Sequence, residues 1–152
     1  MRAVLKEYAI ERRFSDAEGR LVFESLGAGE YMLEVCTAGY WSEAVMVSAE
    51  KEGAERTLRA YRLASAELTL VNSAGARVSG VDIELAHREF NVDVAQWMAS
   101  GRVPSGSLRS DSHGVIRVYG VPNGEFRWSA GGVQGAVRLA PASVNRFQLQ
   151  LP

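Results

Sequence analysis

The chain has one cysteine, Cys36, two histidines, four prolines and two lysines, Lys6 and Lys51, in 152 residues. A lone cysteine excludes an internal disulfide framework and a cysteine-based zinc site. The histidines, His87 and His113, lack the H-x-x-x-H spacing of a zinc pair. No run of about 18 apolar residues is present, so no membrane-spanning helix and no membrane insertion are expected. The opening MRAVLKEYAIERR has no uninterrupted apolar stretch and does not read as a secretory signal peptide. Charge of one sign is lacking too: 17 basic residues face 18 acidic ones, for a net charge of −1. That gives no general attraction to nucleic acid or to an anionic membrane. No G-x-x-x-x-G-K-[ST] phosphate loop occurs, and Gly27–Gly29 reads as a turn.

What is present is a folding chain: 47% apolar and 23% charged residues, with 15 glycines between short alternating runs. That is ordinary for a globular protein and favours many short strands joined by tight turns. An internal repeat organises them. Residues 15–35 (SDAEGRLVFESLGAGEYMLEV) lie over residues 110–130 (SDSHGVIRVYGVPNGEFRWSA) at a constant offset of 95 without a gap. Asp16 falls on Asp111, Gly19 on Gly114, Phe23 on Val118, Gly29 on Gly124, Glu30 on Glu125 and Tyr31 on Phe126. Asp-x-x-Gly is a tight turn, because the Asp side chain bonds its own backbone and Gly accepts positive φ. The alternation that follows puts Leu21 and Phe23, or Ile116 and Val118, on one face. After the turns Gly27–Gly29 and Pro122–Gly124, a second strand turns Tyr31, Leu33 and Val35, or Phe126, Trp128 and Ala130, inward. The repeated unit therefore reads as a β-hairpin with one buried face.

Each unit then continues with matching strands, 43–48 against 135–139 and 57–63 against 145–151. A helix over 49–66 is the rival reading, since Ala, Glu, Arg and Leu favour one; Gly53 and the repeat favour strand. The second unit opens with 67–71 and 81–86 around a turn at Asn72–Gly75, with Leu68, Leu70, Val81, Ile83 and Leu85 facing the core. The first unit is shorter before its Asp16, and residues 3–14 are expected to supply one or two of its strands. Either the chain is cut from something larger or a partner covers an open edge, which would otherwise invite self-association by strand pairing. In the irregular segment 87–106, Asn91 or Asp93 can cap a short helix over 92–99 that Gly101 ends, with Val94, Trp97 and Met98 on one side.

Candidate chemistry is sparse. His113 sits in the Asp111–Gly114 turn, as a solvated residue; His87 follows a strand and is expected to be exposed. Cys36 has opposite parity to Tyr31, Leu33 and Val35 and no histidine near it in sequence, so it does not read as a nucleophile. Asp16, Glu18 and Asp111 are turn formers without the dense oxygen set of a calcium loop. The arginines, among them Arg12, Arg13, Arg56, Arg59 and Arg62, alternate with Glu11, Glu52 and Glu55 and read as a salt-bridged face. Structurally, Trp97 reads as packing over the sandwich end and Tyr40 as core or loop packing; as contacts, the best candidates are Tyr40 and Trp41, an exposed pair at a sandwich tip, and Trp97 in the 87–106 loop. They could stack on a sugar ring or anchor a protein partner.

Residues 16–35, D-x-x-G-R-L-x-F-x-x-L-x-A-G-E-Y-x-L-x-V, followed by Ala38-Gly39-Tyr40, resemble the carboxypeptidase regulatory-like family of prealbumin-like (transthyretin-like) β-sandwiches. Residues 67–85 and 111–130 with the closing strand to Pro152 resemble the same module with a fuller N-terminal half. The second unit departs at Gly131-Gly132-Val133, where the aromatic after glycine is missing. The resemblance implies an all-β chain of tandem prealbumin-like or Ig-like antiparallel sandwiches, the first (1–65) N-terminally incomplete and the second (66–152) fuller. It implies a non-catalytic structural or interaction module of a larger secreted or cell-envelope protein, with a protein or glycan partner and no cofactor. A carbohydrate-binding accessory module is the alternative. The G-E-Y-x-L-E string is also similar to collagen-adhesin B-type repeats, where a glutamate placed like Glu34 assists a Lys–Asn bond. Here Val71 stands near the expected lysine position and Ser129 replaces the glutamate, so no internal isopeptide bond is expected.

Overall fold

The computed structural model describes residues 13–24, 26–48, 55–141 and 143–152. They are almost entirely strand and turn, with one short helix, as the alternation and the glycine spacing predict. Local order starts from one turn used three times. At Asp16, Asn72 and Asp111 the side-chain Oδ1 accepts the backbone N–H two and four residues on. The backbone closes each loop in the same way, with Gly19, Gly75 and Gly114 donating back to Asp16, Asn72 and Asp111. All three glycines have φ between 69° and 78°, a region costly for any side chain. The Asp-x-x-Gly reading is thus right at 16 and 111, and Asn72 makes the same turn.

The strands are β1 (Glu30–Leu33), β2 (Tyr40–Ser42), β3 (Val45–Ser48), β4 (Ala60–Val71), β5 (Glu84–His87), β6 (Val92–Asp93), β7 (Val115–Pro122), β8 (Gly124–Ala130), β9 (Val133–Leu139) and β10 (Val144–Gln150), with α1 (Val94–Ala99) after β6. One sheet is built on β4, which pairs parallel with β10 and antiparallel with β7 and, at its start, with β2. The other runs β6–β5–β8–β9. Between them Leu68, Leu70, Ile116, Val118 and Val121 meet Ile83, Leu85, Phe126, Trp128 and Leu139, all buried. The expected inner faces of 67–71, 81–86, 115–118 and 126–130 are therefore correct. Residues 49–54 lie outside the described residues, 55–59 carry no regular element, and strand begins at Ala60. The boundary drawn between 65 and 66 falls inside β4.

The hairpin is corrected. β7 and β8 do not pair with each other: β7 bonds β4, while β8 bonds β5 and β9. The chain crosses from one sheet to the other through Asn123, so both strands turn their apolar faces to a shared core from opposite sides. Pro122 sits opposite Leu63, where no N–H is called for, and the Asn123 N–H closes that ladder on the Arg62 carbonyl. Gly120 (φ +63°) sits in a bulge where Tyr119 and Gly120 together oppose Ser65, and this brings Val118 and Val121 both inward. In the first unit, β1 pairs with β3 much as β8 pairs with β9. Residues 20–24, however, form no strand, and Val22 is 68% exposed. β7 holds its shape by bonding β4; among the described residues 20–24 have no such partner. Residues 3–12, expected to provide one, lie outside the described residues, and Arg13 and Phe14 carry no strand.

Candidate functional site, an aromatic joint around His87

The segment 87–106 folds back onto the sandwich. Asp93 caps α1 by accepting the Ala95 N–H at 2.6 Å, and Gly101 (φ +73°) follows the C-terminal Ser100. Val94 and Trp97 are buried and Met98 packs beside them, the side the sequence pattern assigns. Trp97 meets Trp41 from β2, with ring centroids 5.1 Å apart. Phe90 lies between the two ends of the cluster, 4.9 Å from Trp41, 5.0 Å from Tyr61 and 4.4 Å from His87. His87 rests in turn against Phe126, at 4.8 Å and near perpendicular. Tilted and edge-on rings at these separations each add about 0.5–1.5 kcal/mol beyond the area they bury. The cluster joins β2 of the first unit to the second sandwich.

The exposed aromatic pair is corrected here. Trp41 is 7% exposed and Trp97 4%, so neither offers a ring face to solvent. Each fills the space its partner leaves, which sequence spacing cannot show because 56 positions separate them. Tyr40 alone, at 38%, keeps surface contact. Its hydroxyl accepts from Arg62 Nε at 3.2 Å, and the Arg62 guanidinium lies 5.9 Å from its ring centre. The carbohydrate reading, which needs open aromatic faces at Trp41 or Trp97, is not supported.

His87 is corrected as well: it lies within β5 and is 1% exposed. Its ring is satisfied at both nitrogens. Nδ1 accepts the Glu89 N–H at 3.3 Å, and Nε2 faces the Asn123 carbonyl at 3.3 Å. With a backbone donor aimed at Nδ1, the neutral tautomer protonated at Nε2 is the one that fits. Burial holds its pKa below the ordinary 6.5, against the opposing pull of the Asn123 carbonyl and the Glu89 charge. Gly124 makes room for it: a Cβ there would sit 2.5 Å from Nε2. Sequence reasoning missed His87, Phe90 and Tyr61; the one available signal was the aromatic and histidine density of HREFNVDVAQW.

The remaining candidates stay apart. His113 is exposed in its turn, and Cys36 is exposed. Of the arginines expected on a salt-bridged face, Arg59 pairs with Glu89, Arg56 donates to the Glu55 carbonyl and Arg62 to Tyr40, while Arg12, Glu11 and Glu52 lie outside the described residues; elsewhere Arg88 pairs with Glu125, and Arg117 with Asp111 and Glu67. Tyr61 donates to Glu89 at 2.8 Å; burial first, and then that bond, raise its pKa. Among the described residues, no group of three His, Cys, Asp or Glu is placed to hold a metal. Nor, among them, is any helix long and apolar enough to cross a membrane.

No family model and no curated protein matches the chain. Among solved structures it is similar to GBS52, a minor pilin of Streptococcus agalactiae, at 17% identity and a TM-score of 0.47, over 90% of this chain and 65% of that one. It is also similar to a streptococcal ancillary pilin, at 15% identity and a TM-score of 0.44, over 82% of this chain and 45% of that one. A third similar structure is BcpA, the major pilin subunit of Bacillus cereus, at 12% identity and a TM-score of 0.38, over 76% of this chain and 39% of that one. The chain thus spans less than two thirds of the length of each.

Proposed function

We propose that the chain is a non-catalytic structural or interaction module, of the carboxypeptidase regulatory-like kind, in a larger secreted or cell-envelope protein. In this reading it transmits tension between the parts that flank it. One observation carries it: the strand that enters the second sandwich, β4, and the strand that leaves it, β10, lie side by side and parallel. They are in register from Ser65↔Val144 to Val71↔Gln150, and Leu151 N–H continues the ladder to the Val71 carbonyl at 2.7 Å. Tension applied at the start of β4 and the end of β10 runs along both strands in opposite senses. The ladder bonds are then loaded together and must fail together. The residue pattern that resembles the regulatory-like family supports the same reading. The partner is a protein, added as a strand at an edge that no described strand covers, such as the outer side of β10 or the β1–β3 ribbon.

Single-molecule pulling tests this. Handles at residues 58 and 152 should load the β4–β10 pair in shear and give a high unfolding force. Handles at residues 75 and 152, both at the same end of that pair, should unzip it bond by bond at a lower force. Equal forces in the two geometries would refute the role in tension.

A further inference from the structure

We propose that His87 makes the joint between β2 and the second sandwich acid-sensitive: a second proton on its ring frees Trp41 and its strand while β8 and β9 stay folded. The geometry of the two ring nitrogens is the reason. In the neutral form one nitrogen accepts from Glu89 N–H and the other donates to the Asn123 carbonyl. A proton added at Nδ1 would point at an N–H that already points at it, so the Glu89 contact turns from attraction to repulsion. The ring sits among Phe90, Trp97 and Phe126, which exclude the water a cation needs.

The disturbance has a short route to β2. Asn123, whose carbonyl faces His87, donates its own N–H to the Arg62 carbonyl at 2.8 Å. Arg62 is the residue of β4 that pairs with Tyr40. On the other side, Phe90 and Trp97 touch both His87 and Trp41. Among the described residues, the charged groups nearby leave the ring without a dedicated counter-ion. Glu89 is shared with Tyr61 and Arg59. Glu125 and Arg127 on β8 pair outward with Arg88 and Asn91. Asp93, next to the residue opposite His87 on β6, caps α1, and α1 itself brings no charge. Arg62 on β4 is exposed and turned to Tyr40. The burial-lowered pKa agrees in sign. The folded state refuses a proton that the unfolded chain accepts, so stability is full above about 6.5 and falls as pH drops below it.

Hydrogen exchange at about pH 7.5 and about pH 5, expressed as protection factors, tests the proposal. On acidification, protection at Tyr40–Ser42 and Ala60–Leu63 should fall, by about tenfold or more, and protection at Phe126–Ser129 should hold. His87→Gln, whose amide can offer a donor and an acceptor but cannot take the charge, should remove the acid response; His113→Gln should keep it. An equal loss across β2 and β8, no loss at β2, or an acid response that survives in H87Q would overturn the proposal. Should H87Q not fold, nitrogen NMR of the wild-type ring decides. The expected state at neutral pH is the Nε2-protonated tautomer, and an Nδ1 proton there would overturn the proposal.

Discussion

Replacing Trp41 by Ala should release β2 from the second sandwich. Trp41 is 7% exposed and is held between Phe90, Trp97 and Tyr61. An aromatic side chain of this kind buries about 200 Å², and at about 25 cal/mol per Å² the transfer contribution is about 5 kcal/mol. Measured aromatic-to-Ala losses of about 3–5 kcal/mol agree with that figure. β2 is also held by a three-residue ladder to β4, by the Leu63 N–H on the Gly39 carbonyl and by Arg62 Nε donating to the Tyr40 hydroxyl, while Ser42 Oγ, accepting from the Val35 N–H at 2.8 Å, ties it to its own unit. Those bonds contribute about 1 kcal/mol each, net of the water they replace. The lost packing is therefore comparable to everything else that fastens the strand. In urea, W41A should unfold in two steps, an early one seen at the β2 amides and a later one at β8 and β9. Trp41→Phe should restore part of the loss. A loss below about 1 kcal/mol, or one that falls equally on β8 and β9, would refute the joint as the link between the units.

Other expectations follow from single contacts. Gly124→Ala places a Cβ 2.5 Å from His87 Nε2 at φ +148°, and should lower stability by about 1–3 kcal/mol or more; an unchanged denaturation midpoint would contradict the packing. Gly135→Ala drives a Cβ to 2.8 Å from Trp128 Nε1 across the β8–β9 ladder, so Trp128 should move and the emission spectrum shift, at a cost of about 1–3 kcal/mol. Asp111→Asn should be tolerated better than Asp111→Ala in thermal melts, because Asn72 already makes the same turn; the reverse order would refute the turn's role. The Val115 N–H, then the His113 N–H and Arg117, hold the Asp111 carboxyl below its ordinary range against a smaller opposing effect of burial. Its contribution is present above about pH 3.8 and is lost as pH falls through the lowered value, and D111N should flatten that part of the acid-unfolding curve.

Period-two alternation placed the inner faces of β4, β7 and β8, and the Asp-x-x-Gly strings located turns whose hydrogen bonds match atom for atom. The short helix was legible too, with its cap narrowed to Asn91 or Asp93, and Asp93 is the one that caps it. These are local relations, settled within five residues. The pairing of strands was not legible: β7 and β8 look like a hairpin because a two-strand turn and an inter-sheet crossing both need Pro, Asn and Gly between apolar runs. Gly120 was the missed clue, since a bulge there lets Val118 and Val121 face the same way. The aromatic joint was illegible for a related reason. Trp97 reads as packing over the sandwich end, and it does; Trp41 reads as exposed in its own segment, and only the fold-back of 87–106 covers it. His87 was misplaced because a polar residue at a strand end is usually wet; here two backbone groups and three rings replace the water.

β4 serves both units as one uninterrupted strand of 12 residues. It presents Tyr61 and Leu63 toward the aromatic cluster, and Ala64, Ala66, Leu68 and Leu70 toward the second core. Its length is therefore a shared phase. Adding or deleting one residue between Leu63 and Leu68 would rotate the apolar row of one half outward while the other half stayed in place. Extra residues in the excursion near Gly101–Gly106 would disturb no such alignment. Whatever changes in size this chain tolerates should collect at that excursion, and the stretch common to both halves should hold its count.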